Sequence, residues 1–406
     1  MKRPRLLWAL IYVIINFIAF IIVENQNKFI GDFVDFDLRS SGDLFLTFLL
    51  LAGVIFAMLL FYNGVSKIKI RSRPINYSHG AMSVFIGCML ISFIAYVQVT
   101  QLFIAGSAAR GGSVGSAFWA LMNVDMIFTV YYASCRNSKY FKWNLGLWVI
   151  SFVQRGWFAI FFTIVAFESF RFIRSGKAGY RMLLVMILLV ALYPILDIVK
   201  VYIRVNEIFD PVVLFDMVRS EITSPGFTWL GAFSESTGKI IGRIQVLSHA
   251  QMLIDNHAYF AQSINVGKLV PFWKEGLIGV VWDTLTGIPH APELPSVVAT
   301  FIAPDSMSSW NVNPSLIGWF SVYGDYVPLS IIYVMLLGVV SIVLGKFASD
   351  TIFFRDILWF VWLMFFIPGW IAQFITFLVA MTIYLLVASV LRVVRPVRRP
   401  KVVEFA

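Results

Sequence analysis

What most constrains this chain is a recurrence: apolar runs close to bilayer length, separated by short basic clusters. About 20 consecutive apolar residues cross a hydrocarbon core. Runs at 6–23, 44–62, 81–103, 117–135, 182–201, 326–345 and 371–391 approach that length. The chain is 59% hydrophobic and 13% charged. That much apolar surface cannot be hidden in a water-facing core, so the expected class is an all-α polytopic membrane protein. No small-residue cleavage site accompanies run 6–23, which reads as a retained first span.

The basic residues set an expected orientation. Positive charge gathers in cytoplasmic loops, which also explains the net charge of +10 without a nucleic-acid partner. Basic clusters lie at 1–5, at Lys67, Lys69, Arg71 and Arg73, at Arg136, Lys139 and Lys142, and at Arg171, Arg174, Lys177 and Arg181. A fifth, Arg392, Arg395, Arg398, Arg399 and Lys401, ends the chain. Placing these inside, together with Lys346 and Arg355 of the short loop 346–356, puts 21 of the 32 Lys and Arg there and 11 outside. Both termini are then cytoplasmic. Two apolar runs are too short to cross alone: 145–153, ending at Gln154-Arg155-Gly156, and 357–367, ending at Pro368-Gly369-Trp370. The first is followed by apolar 157–170. With basic residues on both flanks it reads as two helices, out and back, with Arg155 near the outer end. The total is about ten spans: 1–203 with seven, 204–325 as one large extracytoplasmic loop, and 326–406 with three and a basic tail. Interrupted helices also mark transporters.

The long region holds six Lys and Arg against eleven Asp and Glu, so its few cations stand out. Stretch 239–259 has helical periodicity, with Ile240, Ile244, Leu247, Ala250 and Ile254 at spacings of three and four. Lys239 and Arg243 share one face; Gln245, His249 and Asn256 form a polar stripe. Such a helix either lies on the membrane surface or lines a polar groove. In a groove, Arg243 would bind phosphate bidentately and His249 would move a proton. Arg155, an ionisable group between apolar runs, is a functional candidate or snorkels beside Trp157. Lys268 and Lys274 flank Pro271-Phe272-Trp273 as phosphate contacts or an interfacial anchor. Arg219 is a further phosphate contact or a salt-bridge partner of Asp216 or Glu221, the reading favoured here. Asn313-Pro314 opens a bent aromatic segment that runs through Tyr323-Gly324. Glu235 and Asp283 are possible general bases, and His290 reads as a turn residue. Cys88 and Cys135 lie in apolar runs and read as small buried hydrophobes. There is no HExxH, CxxC, Walker-type or GxGxxG pattern, and no metal or cofactor is expected.

With these residues in place, the chain resembles the Wzy-type O-antigen and oligosaccharide repeat-unit polymerases. These are neighbours of the O-antigen ligases among polyprenyl-phosphate-dependent glycosyltransferases of C-type architecture. The layout of the whole chain is similar, and three local patterns carry the likeness. Gln154-Arg155-Gly156 resembles a Ser-Arg-Gly element at a helix end. Gly242-Arg243-Ile244 resembles the arginine-bearing part of the family's periplasmic loop. Asn313-Pro314-Ser315-Leu316-Ile317-Gly318, followed by Tyr323-Gly324, is similar to the Asn-Pro…Gly…Phe-Gly stretch. Gln154 stands where Ser is common, and Gly318-Trp319 where Gly-Glu is frequent. The second departure removes a carboxylate and leaves the general base open.

The resemblance implies a bacterial inner-membrane polymerase acting on undecaprenyl-diphosphate-linked oligosaccharides as donor and acceptor. A chain-length regulator and a flippase of the same pathway would be partners. The expected catalytic residues are Arg155, Arg243 and His249. Arg219, Lys239, Gln245, Lys268, Lys274, Asn313 and Tyr323 are expected to bind substrate. Arginine charge would stabilise the departing diphosphate without a metal. Two alternatives stay open: an O-antigen ligase or other lipid-linked glycan transferase, and a transporter or flippase of lipid-linked oligosaccharide. The transporter would use mid-span charge such as Asp125 or Glu168.

Overall fold

A computed structural model describes residues 3–68, 74–104, 113–176, 180–206, 211–224, 226–304 and 311–392. Lys69, Arg71, Arg73, Lys177, Asp210, Asp305 and the tail cations beyond Arg392 lie outside them. The described residues are helical and contain no strand. In chain order the helices are α1 (Pro4–Gln26), α2 (Ser41–Lys67), α3 (His79–Thr100), α4 (Val114–Met122), α5 (Val124–Cys135) and α6 (Phe141–Gln154). Then come α7 (Ala159–Ser175), α8 (Tyr180–Asn206), α9 (Pro211–Ile222), α10 (Trp229–Ile244), α11 (Leu247–Asp255) and α12 (His257–Asn265). The last are α13 (Leu277–Thr286), α14 (Leu294–Ile302), α15 (Leu316–Val322), α16 (Val327–Ala348), α17 (Ile352–Phe365) and α18 (Ile371–Val390).

Among the described residues, six stretches are long and apolar enough to cross a bilayer: α1, α2, α3, α4 with α5, Gly324–Ala348, and α18. This is fewer than the ten expected from the sequence. Helices α6 and α17 have only 14 residues each, about 21 Å at 1.5 Å per residue, and α8 carries Pro194, Asp197 and Lys200. Local signals start several helices. Ser40, Ser78 and Thr351 each accept a bond from a first-turn backbone N–H, each cap being worth about 1 kcal/mol. Asn123, at φ +32°, separates α4 from α5 and caps α5 through Met126 N at 3.2 Å. Cys135 at the end of α5 is buried as expected, whereas Cys88 in α3 is exposed.

Helices α6 and α7 form a hairpin. Asn144 near the start of α6 donates to Ser83 O near the start of α3, at 2.8 Å. At the other end Gln154 donates to Gln98 Oε1, also at 2.8 Å. So α6 runs parallel to α3. Helix α7 returns, and its Glu168 meets Arg136, just past the end of α5, at 2.8 Å. At this basic end Asp356 is almost fully buried between Arg5 (2.7 Å) and Arg174. The bridge ties α1, α7 and α17 together. Helices α17 and α18 make a second hairpin, turning at Pro368-Gly369 at the opposite, loop end.

The long region is not a detached loop. Helix α11 packs against α1, α2 and α15. Asn16, fully buried in mid-α1, accepts bonds from Val246 N (2.9 Å) and Leu247 N (3.1 Å) at the start of α11. Asn16 lies about 15 Å along the helix from its end at Gln26. The α10–α11 junction therefore dips beside α1. Irregular backbone is tolerated at such depth because protein buries it and satisfies its N–H groups.

Candidate functional site

The site is built where the 27–40 connection between α1 and α2 docks on the α10–α11 junction. A continuous helix over 239–259 is expected from periodicity; the structure breaks it after Ile244 and again at Asn256. Gln245 causes the first break. Its Nε2 donates to Ile30 O at 3.2 Å, and its Oε1 accepts from Ser248 N at 3.0 Å. Ser248 Oγ in turn accepts from Ile30 N at 3.4 Å. Gln245 is wholly buried, so it positions backbone and does not present itself to substrate. The polar stripe is split accordingly: Gln245 sits in the junction, and residues 245–253 face protein.

Two glycines allow the approach. Gly31 adopts φ +79°, and a Cβ there would meet Gly242 O at 2.5 Å. A Cβ on Gly242 would meet Gly31 Cα at 3.1 Å. Only this backbone-to-backbone contact lets Asp32 reach α11. Asp32 Oδ2 lies 3.5 Å from His249 Nε2, at the long limit of a hydrogen bond. The His249 ring is edge-on to Phe33, 5.1 Å between centroids, and its Nδ1 is buried without a partner. Arg243, one helical turn before Leu247, is exposed. Its guanidinium makes no hydrogen bond or ion pair with a described residue. Burial raises the Asp32 pKa, but the His249 hydrogen bond and the charges of His249 and Arg243 outweigh it. The carboxyl is held below its ordinary range.

This geometry changes the expected roles. His249 is 0% exposed, so it cannot itself touch a substrate in this arrangement. Asp32, 26% exposed, is the open member of the pair. The sequence reading missed Asp32, whose only signal was the acidic character of 24–43. It also missed Asn16, which was visible as an amide in the middle of an apolar span.

Arg155 is placed elsewhere. Its guanidinium grips Asp125 bidentately at 2.8 and 2.9 Å, and its Nε donates to Ser151 O at 2.9 Å. Phe93, Phe152 and Trp157 surround it. It does not snorkel, and no hydrogen bond or ion pair joins it to Arg243 or His249. Its donors are engaged in tying α6 to α5, so it is a structural tie here and not an open diphosphate ligand. Arg155→Ala is expected to cost about 3 kcal/mol, because Asp125 is left largely buried and unpaired. Reduced membrane abundance and a lower melting temperature would show it; an unchanged melting temperature would contradict it.

The other candidates divide. Lys239 bridges Asp197 and Glu235, each at 2.8 Å, linking α10 to α8. Lys274 and His290 hold the two oxygens of Asp283 at 2.6 and 2.8 Å. Those two hydrogen bonds lower the Asp283 pKa. That carboxylate is fully engaged, unlike a free base, and His290 is more than a turn residue. Arg219 makes no bridge with Asp216 or Glu221, against the favoured expectation. It and Lys268 are exposed, and their side chains make no hydrogen bond or ion pair with a described residue.

The Asn313–Tyr323 segment packs on α11 and on the turn before α18. Asn313 accepts from Trp370 Nε1. Ser315 N donates to Pro368 O at 2.8 Å and Leu316 N to Ile367 O at 2.9 Å, so two motifs singled out in the sequence meet. Gly318 lies against α11, where a Cβ would meet Leu253 at 2.8 Å. Tyr323 is buried and donates to Glu275 Oε1 at 2.9 Å, as does Trp319 Nε1 at 2.9 Å. Burial raises the Glu275 pKa to about 8, so it is mostly protonated at neutral pH. Tyr323 thus supports a buried carboxyl and presents no free hydroxyl. Set against protein-family models, characterised proteins and solved structures, the chain matches none.

Proposed function

We propose that the chain is a membrane glycan polymerase working at the loop end of the bundle, on the outer face of a bacterial cytoplasmic membrane. It would transfer a growing undecaprenyl-diphosphate-linked polysaccharide onto the next lipid-linked repeat unit. The observation that carries this reading is an exposed, unpaired Arg243 beside an ionised Asp32, both set into the bundle by the α10–α11 junction. The acceptor hydroxyl oxygen attacks the donor's anomeric carbon as the bond to the diphosphate oxygen breaks. Arg243 meets the charge that develops on that leaving group. Asp32 accepts the hydroxyl proton as the new glycosidic bond forms. His249, behind it, orients the carboxylate.

The same chemistry would serve a ligase, which differs in acceptor. Deletion of the gene followed by a glycan gel separates the readings. Single repeat units capped on lipid are expected; loss of all glycan would favour a ligase or a flippase and sink the polymerase reading.

A further inference from the structure

A cleft of about 370 Å³ opens between the 27–40 connection and α11, with Phe301 of α14 closing one side. That volume lies in the ~300–1,000 Å³ range of small-molecule sites. Its polar lining is Asp37, Arg39, Asp255 and Asn256. Its apolar lining includes Phe36 and Phe301, whose rings stack at 6.0 Å and 18°. Tyr259 packs on Phe301 at 5.2 Å.

The polar groups are held in place. Thr47 Oγ1 donates to Gln251 Oε1 at 2.6 Å, and Gln251 Nε2 donates to Asp255 Oδ1 at 2.7 Å. Arg39 Nη1 donates to Asp255 O at 3.3 Å. Asp255 Oδ2 and the Asp37 carboxylate take no hydrogen bond from a described residue. Burial raises the Asp255 pKa against the pull of Gln251 and Arg39, so its carboxylate gains from a further donor.

The lining selects a ligand class. Two carboxylates against one guanidinium disfavour phosphate or any other anion. The carboxylates make the cleft a poor place for an acyl chain. A pyranose fits both demands. Its hydroxyls donate to carboxylates and accept from a guanidinium, and its C–H face packs on the negative face of an aromatic ring. The cleft also adjoins the Asp32–His249 pair. Phe33 touches His249 and lies 5.9 Å from Phe36. Met252 and Asn256 follow His249 at helical spacings of three and seven.

We propose that this cleft is a saccharide-binding subsite that holds the sugar carrying the attacking hydroxyl. It deepens the polymerase reading and rests on it only for the role of the bound sugar. The test is saturation-transfer-difference NMR on the full chain in nanodiscs, free of glycoside detergent. The probes are the methyl glycosides of glucose, galactose, mannose, rhamnose, N-acetylglucosamine and N-acetylgalactosamine. At least one should give a signal that falls at least about fivefold in Arg39→Ala and in Asp37→Asn. Both residues are exposed, so these variants keep the fold, and melting curves verify it. No signal from any glycoside, or a signal that neither variant reduces, overturns the subsite. If transfer is lost in Asp32→Asn but these variants leave the signal intact, the subsite fails and the catalytic reading stands. If the variants remove the signal but Asp32→Asn still transfers, the subsite stands and the catalytic reading fails.

Discussion

Replacing Asp32 by Asn is expected to slow glycan transfer by at least about 100-fold while leaving membrane abundance unchanged. Asn keeps the size of the side chain, and the Gly31–Gly242 contact and the Ile30 bonds to Gln245 and Ser248 that seat the 27–40 connection do not involve the carboxylate. It cannot take a proton from the acceptor. The pH dependence has a definite sign. The folded Asp32 pKa is lowered by His249 and Arg243 against the effect of burial, so the carboxylate stays charged to lower pH than an ordinary one. Its contribution to the dock is present above the unfolded value and is lost as pH falls through the folded one. Transfer in the wild type should therefore hold on acidification to lower pH than an ordinary carboxylate would allow. Pulse labelling of the polymer in cells carrying each form checks the rate; an Asn variant with the wild-type rate would remove Asp32 from the mechanism.

Arg243→Ala is expected to reduce transfer by about 100- to 1,000-fold, the usual cost of losing a donor aimed at developing negative charge. The side chain is exposed and unpaired, so stability should barely change. Arg243→Lys should recover only part of the activity, because an ammonium is a point charge and cannot engage two phosphate oxygens as a planar fork does. Immunoblots alongside a glycan assay separate this from Arg155, whose loss is expected to act through abundance. Equal loss of abundance in both variants would contradict the division of roles.

Much of the frame was legible in the sequence because it depends on local pattern. Long apolar runs gave the six membrane-length stretches. Basic residues on both flanks of 145–170 gave the α6–α7 hairpin. The Asn313–Gly318 motif packs through Gly318 on Leu253 of α11 and bonds to the Pro368 turn, whereas Gly242-Arg243 in α10 meets the 27–40 connection at Gly31. The rest depended on contacts between distant residues. Helix periodicity runs unbroken through Gln245, and only its bond to Ile30 ends α10 there. Asp32 and His249 are 217 positions apart, and the Gly31–Gly242 contact that joins them leaves no periodic trace. Arg155 drew attention as a charge between apolar runs, but its partner Asp125, 30 positions upstream, made it a tie within the bundle. The cleft beside α11 was invisible for the same reason. Its walls come from 27–40, α11 and α14, and of these only α11 carries a pattern of its own in the sequence.

The most direct measurement is a glycan gel from a strain lacking the gene and complemented with the Asp32→Asn/Arg243→Ala double variant, with membrane abundance measured in parallel. Wild-type abundance and only single repeat units capped on lipid are expected. A full-length ladder at that abundance would contradict the proposed mechanism.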